Sequence, residues 1–332
     1  MSSHDIFTNR SEILFLYDVT NANPNGDPVD ENKPRIDEET GKNIVTDVRL
    51  KRTIRDYLKD FKQQEIFVRE ISYDDGSIQD AKQRAEDFLR DASGKEIKKG
   101  DISLAEMRKV VNDNILRECI DIRLFGVTLP IEKSGKEKSS VTHTGPVQFR
   151  IGTSLHRVNL EYLKGTGAFA SGKGLEQKTF REEYVLSYSL IAFWGVINEN
   201  AAKDTKLTES DISLLLDGIW NGTKNLISRS KAGQMPRLLL RIVYKESNFH
   251  IGDLDKMVRI TDVKDAKEDQ AIRDISEFSL DITEMVKILS EHRDQIERIE
   301  YKSDDRVSFT TSGNKVDITG SLGSIPLVEI QV

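Results

Sequence analysis

The chain has 332 residues, 32% of them charged and 37% hydrophobic, with a formal net charge of −7. That apolar share supports a packed core and excludes wholesale disorder, and a single cysteine, Cys119, excludes a disulfide framework or a thiolate metal cluster. The length suits two ordinary domains or one domain with large insertions. The longest apolar run, 185–197, is broken by serines and falls short of the ~20 residues of a membrane span. The start, MSSHDIFTNR, has no apolar signal core. A cytoplasmic, reducing location without a membrane partner is therefore expected.

An acidic balance is the wrong sign for nucleic acid, but mapping the charge reverses that argument. Residues 261–305 hold 14 Asp/Glu against 7 Lys/Arg, which is the whole excess. Between positions 218 and 245 no acidic residue occurs, while Lys224, Arg229, Lys231, Arg237, Arg241 and Lys245 all fall there. The bulk figure hides a neutral body with basic stretches and an acidic C-terminal region.

In chain order, 12–19 reads as a strand with Ile13, Phe15, Tyr17 and Val19 on one face. The run NANPNGDP at 21–28 reads as a turn-rich loop. Residues 46–62 are the clearest helix, with Leu50, Ile54, Tyr57, Leu58 and Phe61 on one stripe. Lys51, Arg52, Arg55, Lys59 and Lys62 share one flank, and Asp56 and Asp60 lie on the other, so the helix carries a basic edge. A strand is expected at 66–73, helices at 77–92 and 103–118, a mobile polar loop at 133–140 and a strand at 147–153. The stretch 163–174 is glycine-rich, and 184–197 reads as a strand buried on both faces. A helix at 208–228 opens with the capping-box pair Thr208 and Asp211. A strand at 237–244, a helix at 281–293 and a strand at 297–302 follow. The strongest elements give the ferredoxin-like order βαββαβ, an RRM-like α+β core with large insertions.

Few motifs carry chemistry. GAFASGKG at 167–174 approaches a phosphate-binding loop, but Gly174 stands where the Mg²⁺-holding hydroxyl belongs, and a flexible glycine loop carrying a lysine is the better reading. An ATP-binding enzyme built on it has little support. The five histidines, His4, His143, His156, His250 and His292, show no metal-ligand spacing. Cys119 sits in a helical stretch and reads as structural. Asp18, Asp27, Asp30 and Asp37 surround the first loop; Asp is a preferred turn residue, and that outweighs Mg²⁺ binding. The third strand's Phe193 and Trp194 lie in a run too apolar to face RNA, so base stacking on the sheet is not supported. Backbone contacts through the basic flank of 46–62 and the region 218–245 stay open.

The runs LFLYDVTNANPNGDP and RIDEETGKNIVTDVRLKRTIRDYL, with RLFGV (123–127), GPVQF (145–149) and LSYSLIAFWGVINE (186–199) in the same order, resemble the CRISPR-associated backbone subunits of type I Cascade complexes. The version is similar to type I-B within the RAMP superfamily, and the resemblance spans nearly the whole chain. It implies a hand-like subunit: a palm at 1–63, 147–154 and 184–260, fingers at 64–146 and a thumb at 155–183. The acidic region 261–332 completes the palm. Copies of such a subunit polymerise along a CRISPR RNA, each thumb displacing a base, and the guide pairs with target DNA. Other Cascade subunits and a recruited nuclease-helicase are the further partners, and no catalysis, cofactor or metal is implied.

Carried onto this sequence, Lys51 and Arg55 match the helix-start motif that grips guide phosphates, with Arg52 beside them. Asn21, Asn23 and Asn25 lie in the signature loop facing the palm. Phe169, Lys173, Lys178, Phe180 and Arg181 are thumb candidates for a base wedge and phosphate contacts. Arg49, Arg150, His156, Arg157, Arg229 and Arg237 complete the expected RNA-binding set. The alternative is a metal-dependent endoribonuclease like the type III relatives, with Asp27, Asp30 or Asp37 as the loop aspartate; no single one aligns cleanly. The acidic region 261–305 is expected away from the guide, at an outer face or a subunit contact.

Overall fold

The computed structural model describes residues 6–135, 137–170 and 178–332. Strand β1 (Ser11–Ala22) lies inside the main sheet, antiparallel to Lys178–Ile197 on one side and to Gln234–Tyr244 on the other. The full order is Leu327–Glu329, Ile296–Ser303, Gln234–Tyr244, β1, Lys178–Ile197, Gly152–Arg157, Lys42–Val45. Val147–Phe149 pairs with one end of the long strand and Leu160–Ala170 with the other. With helix α1 (Asp47–Lys62) after β1 and the helix Glu209–Lys224 before Gln234–Tyr244, the elements follow βαββαβ order. The fold is mixed α+β.

Period-2 alternation decides what covers each face of β1. Ile13, Phe15, Tyr17 and Val19 meet Leu50, Ile54, Tyr57 and Leu58 of α1, and Ile212, Leu215 and Ile219 of the second helix. Helix α1 and this second helix approach closely because Gly218 and Gly222 face α1: a Cβ at Gly222 would lie 3.1 Å from Tyr57 Cβ. Leu14 and Leu16 point the other way, with Leu190, Leu238, Leu240 and Ile242, and are covered by Ile272, Phe278, Leu280, Met285 and Leu289. The acidic region thus builds the layer over the second face. It also extends the sheet edge through Ile296–Ser303 and Leu327–Glu329. The insertion after α1 has its own core, with Phe67, Phe88, Met107, Ile115, Leu129 and Val141 among its members.

Several local expectations are corrected. Residues 66–73 form no strand, only an isolated bridge at Ser72. Within 77–92 the helix is confined to Ala81–Glu86. The described residues of 133–140 are not a loop throughout: Gly126–Ser134 pairs with Glu137–Thr144, and the pairs Leu129↔Val141 and Ile131↔Ser139 anchor the two strands on the insertion's core. The 147–153 strand splits at Arg150, so that Val147–Phe149 and Gly152–Arg157 meet different parts of the long strand. Cys119 lies between the helices Leu104–Glu118 and Ile120–Phe125, fully buried, where burial pushes its thiol up and keeps it protonated.

Candidate nucleic-acid interface

At the C-terminal end of β1 four pieces of chain converge: the asparagine loop, the first turn of α1, the loop 225–233, and the root of the hairpin Leu160–Ala170 with Lys178–Ile197. Hydrogen bonds hold them together. Asn23 N–H donates to the Ser230 carbonyl at 2.6 Å and Lys231 Nζ donates to the Asn23 carbonyl at 2.8 Å. Gly233 takes φ +92°, and a Cβ there would stand 3.1 Å from the Thr20 carbonyl, so glycine lets this loop close onto the strand. On the hairpin side, Arg229 pairs with Glu183 at 3.1 Å, and Tyr184 donates to Glu31 at 3.1 Å with Lys33 over its ring.

The three asparagines have different surroundings. Asn21 is exposed with φ +50°, a left-handed turn that asparagine tolerates. Asn23 is 1% exposed, and its amide donates to the Asn32 carbonyl at 2.7 Å. Asn25 is 7% exposed and its Nδ2 has no hydrogen-bond partner. Asn23 and Asn25 therefore shape the loop from inside.

The basic flank of α1 is not a row of free cations. Lys51 reaches Asp47 at 3.0 Å, Arg52 reaches Asp56 at 2.8 Å and Arg55 reaches Asp121 at 3.1 Å. Asp121 is fully buried and also accepts from the N–H groups of Phe67 at 2.8 Å and Val68 at 3.0 Å. Arg55 thus ties α1 to the insertion, and it stacks with Lys51 over the ring of Phe125. Asp47 and Asp56 lie four residues from their partners on the same helix, whereas tertiary packing brings Asp121 to Arg55.

Arg49 differs. Thr46 caps the helix, its hydroxyl accepting from the Arg49 N–H at 3.3 Å, which places Arg49 in the first turn. Its Nη2 donates to the Thr53 hydroxyl at 3.0 Å, its Nε is buried with no partner, and among the described residues no carboxylate meets it. Lys231 likewise has no carboxylate partner there. Burial, with the charge of Arg49 beside it, pulls the Lys231 ammonium down to about 8. Lys231 is absent from the set expected above; the acid-free run 218–245 was the available signal. The strand Gln234–Tyr244 is buried on both faces, so Arg237 and Arg241 are interior.

The remaining expected contacts divide. Arg237 is 4% exposed and bridges Asp18 at 2.8 Å and Asp304 at 3.1 Å, which makes it framework. His156 is 3% exposed; its Nδ1 donates to the Arg157 carbonyl at 2.7 Å, its Nε2 accepts from Leu190 N–H at 3.2 Å, and burial holds it neutral. Both correct the expectation of a surface role, because each donor is already used internally. Arg150 pairs with Asp253 and Asp255 at 2.6 and 2.5 Å and lies over Trp194, and Arg157 reaches Asp269 at 3.6 Å. Along the hairpin the backbone of Phe180 faces Thr166, Arg181 faces Gly165 and Lys178 faces Ala170, with Phe169 in the opposing strand. Lys173 and the second half of the 167–174 glycine stretch lie outside the described residues. The loop aspartates serve turn chemistry: Asp27 pairs with Arg35 at 2.8 Å, Asp30 with Lys33 at 2.7 Å, and Asp37 accepts from the Thr40 hydroxyl at 2.8 Å. Among the described residues no three His, Cys, Asp or Glu side chains gather into a metal-ligating group, and no helix is long and apolar enough to cross a membrane.

Comparison with known proteins agrees with this architecture. Residues 9–283 match the family model for CRISPR-associated protein Cas7. A CRISPR-associated protein Cas7 from Haloferax volcanii is 34% identical over 318 residues, covering 91% of this chain and 88% of that protein. A chain of a solved "CRISPR RNA-guided surveillance complex, pre-nicking" shares the fold with a TM-score of 0.56 at 11% identity, covering 96% of each chain. The loop, the α1 motif and the elements of the βαββαβ core fall within the matched span, and the chain belongs to the CRISPR-associated Cas7 family.

Proposed function

We propose that this chain is a guide-RNA-binding backbone subunit of a type I, I-B-like surveillance complex. The observation that carries the reading is the convergence at the end of β1, where Arg49 and Lys231 have no ion-pair partner among the described residues and stand beside the hairpin Leu160–Ala170 with Lys178–Ile197. Membership in the Cas7 family supports it, and so does the fold shared with a chain from an RNA-guided surveillance complex. In this reading the βαββαβ sheet and its helices are the palm, 64–146 the fingers and 155–183 the thumb. Copies line up along one CRISPR RNA, the thumb of each pressing on the strand so that guide segments between displaced bases pair with target DNA. Holding a guide of any sequence calls for phosphate contacts and deformation rather than base-edge readout. The chain itself does no cutting; other subunits and a recruited nuclease-helicase complete the machine.

The test is purification of the chain with its operon partners. The preparation should carry RNA, seen as a high 260/280 absorbance ratio, and nuclease treatment should leave a ladder of protected fragments at one fixed spacing. Protein that emerges free of RNA, or RNA degraded without periodic protection, overturns the reading. Cleavage of added complementary RNA at regular intervals with Mg²⁺ would favour the endoribonuclease alternative instead.

A further inference from the structure

We propose that Asn23 is the hub of a two-armed clamp that sets how the hairpin Leu160–Ala170 with Lys178–Ile197 leaves the sheet, and that a strand held at the convergence steadies the hairpin through it. The second half of the proposal rests on the RNA-binding reading above. Asn23 is used in three directions. Its Nδ2 donates to the Asn32 carbonyl at 2.7 Å, its N–H donates to the Ser230 carbonyl at 2.6 Å, and its carbonyl accepts from Lys231 Nζ at 2.8 Å. The first bond fixes the turn 30–33, and the other two fix the loop 225–233. Each of these segments then reaches the hairpin root. From the turn, Glu31 accepts from the Tyr184 hydroxyl at 3.1 Å, and Lys33 Nζ lies 5.1 Å from the centre of the Tyr184 ring. From the loop, Arg229 pairs with Glu183 at 3.1 Å. Glu183 and Tyr184 are consecutive on one strand and so project from opposite faces of the ribbon. The root is therefore gripped on both faces by two arms that meet at one residue.

Two further observations support the clamp. Glu31 and Asn32 take φ +49° and +57° in succession, a left-handed conformation that a glutamate adopts only at a cost. Asn23 holds this turn from one side, and the Asp27 carbonyl, accepting from the Asn32 N–H at 2.8 Å, holds it from the other. Gly26 leaves the room for it, since a Cβ there would collide with the Asn32 side chain. The hairpin also needs outside support. From Val185 back to Lys178 the long strand no longer pairs with β1, and among the described residues it pairs only with Leu160–Ala170. A two-stranded ribbon is marginal by itself in water, so its direction is decided at the root. A bound strand that orders the asparagine loop or the loop 225–233 orders both arms together, and the hairpin with them. Asn23 is thus a positioning residue that acts through Glu31 and Arg229.

The experiment is hydrogen–deuterium exchange of the full chain, read at the root amides 160–165 and 182–187. The ladder between Gln234–Tyr244 and Ile296–Ser303 is the internal reference for global opening. Without RNA, Asn23→Ala should speed exchange at 182–187 by about fivefold, the change that losing one net hydrogen bond of local stability gives, although the three hydrogen bonds of Asn23 all go elsewhere. The double variant Tyr184→Phe/Glu183→Gln, which strips the hydroxyl and the charge that the arms hold, should do at least as much. Saturation with a rhodamine-labelled oligoadenylate 12-mer, followed by anisotropy, should slow root exchange in the wild type and leave it fast in the double variant. Root exchange unchanged in both variants overturns the clamp. Should Asn23→Ala also loosen the reference ladder, the double variant alone decides. Equal slowing by RNA in wild type and double variant overturns the steadying of the hairpin while leaving RNA binding in place. No anisotropy change with the wild type overturns the RNA-binding reading, and the RNA-free comparison still decides the clamp.

Discussion

At the scale of single residues, the partners of a cation decide its role more than its position on a helix. Arg55 is held by a fully buried carboxylate that also organises the backbone at Phe67 and Val68. Asp121→Ala should therefore destabilise the chain by about 3 kcal/mol, since it strands a partly buried guanidinium and two N–H groups; urea unfolding checks this. Lys231 is the opposite case. Its folded-state pKa lies at about 8, below the ordinary lysine value, so between about pH 8 and 10 the unfolded chain binds more protons than the folded one. Stability contributed by this site thus rises with pH through that window, and below it the charged ammonium is a cost. Lys231→Met should raise the Tm of the RNA-free chain at pH 7 by about 2 °C, and the difference from wild type should shrink by pH 10. Calorimetric scans at the two pH values read the outcome, and a constant difference would remove Lys231 as its source. The candidates on α1 were legible from the sequence as charges. The pairs Lys51–Asp47 and Arg52–Asp56 follow helix spacing, but Arg55–Asp121 was not legible, because Asp121 is distant in the chain.

At the scale of elements, the site depends on how α1 is seated. Its N-terminus is set by the Thr46 cap, and its body by contact with the helix Glu209–Lys224 at Gly218 and Gly222. Gly222→Leu forces a side chain against Tyr57 and the Thr53 carbonyl, 3.1 and 3.4 Å from the Cβ position. It should cost about 2 kcal/mol and lower RNA affinity by shifting Arg49, whereas Gly100→Ala, where nothing lies within 4 Å, should change neither; melting curves and anisotropy together separate the two. The periodicity of α1, the Thr208–Asp211 capping box and the apolar long strand were each readable locally. The hairpin 126–144 was not: its polar, lysine-rich tip resembles a loop, and only the apolar pairs below it, seated on the insertion's core, make it a strand pair.

For the whole molecule, the net charge of −7 is an average over surfaces with different roles. The acidic region covers one face of the sheet through its apolar residues, while Asp269 and Asp304 reach Arg157 and Arg237. Because what holds RNA is then a small set of cations, affinity should fall by about tenfold between 50 and 200 mM salt. A salt-independent affinity would point to stacking in place of phosphate contacts. The sequence alone determined the βαββαβ order, the α1 register and, through its long family runs, the resemblance, because these depend on residues near one another in the chain. Only the tertiary structure decided which cations have no ion-pair partner among the described residues, that Arg237 and His156 are interior, and that the acidic region is a layer of the core. Those outcomes depend on which distant side chains the folded sheet brings together, and a linear pattern of charge carries no such distances.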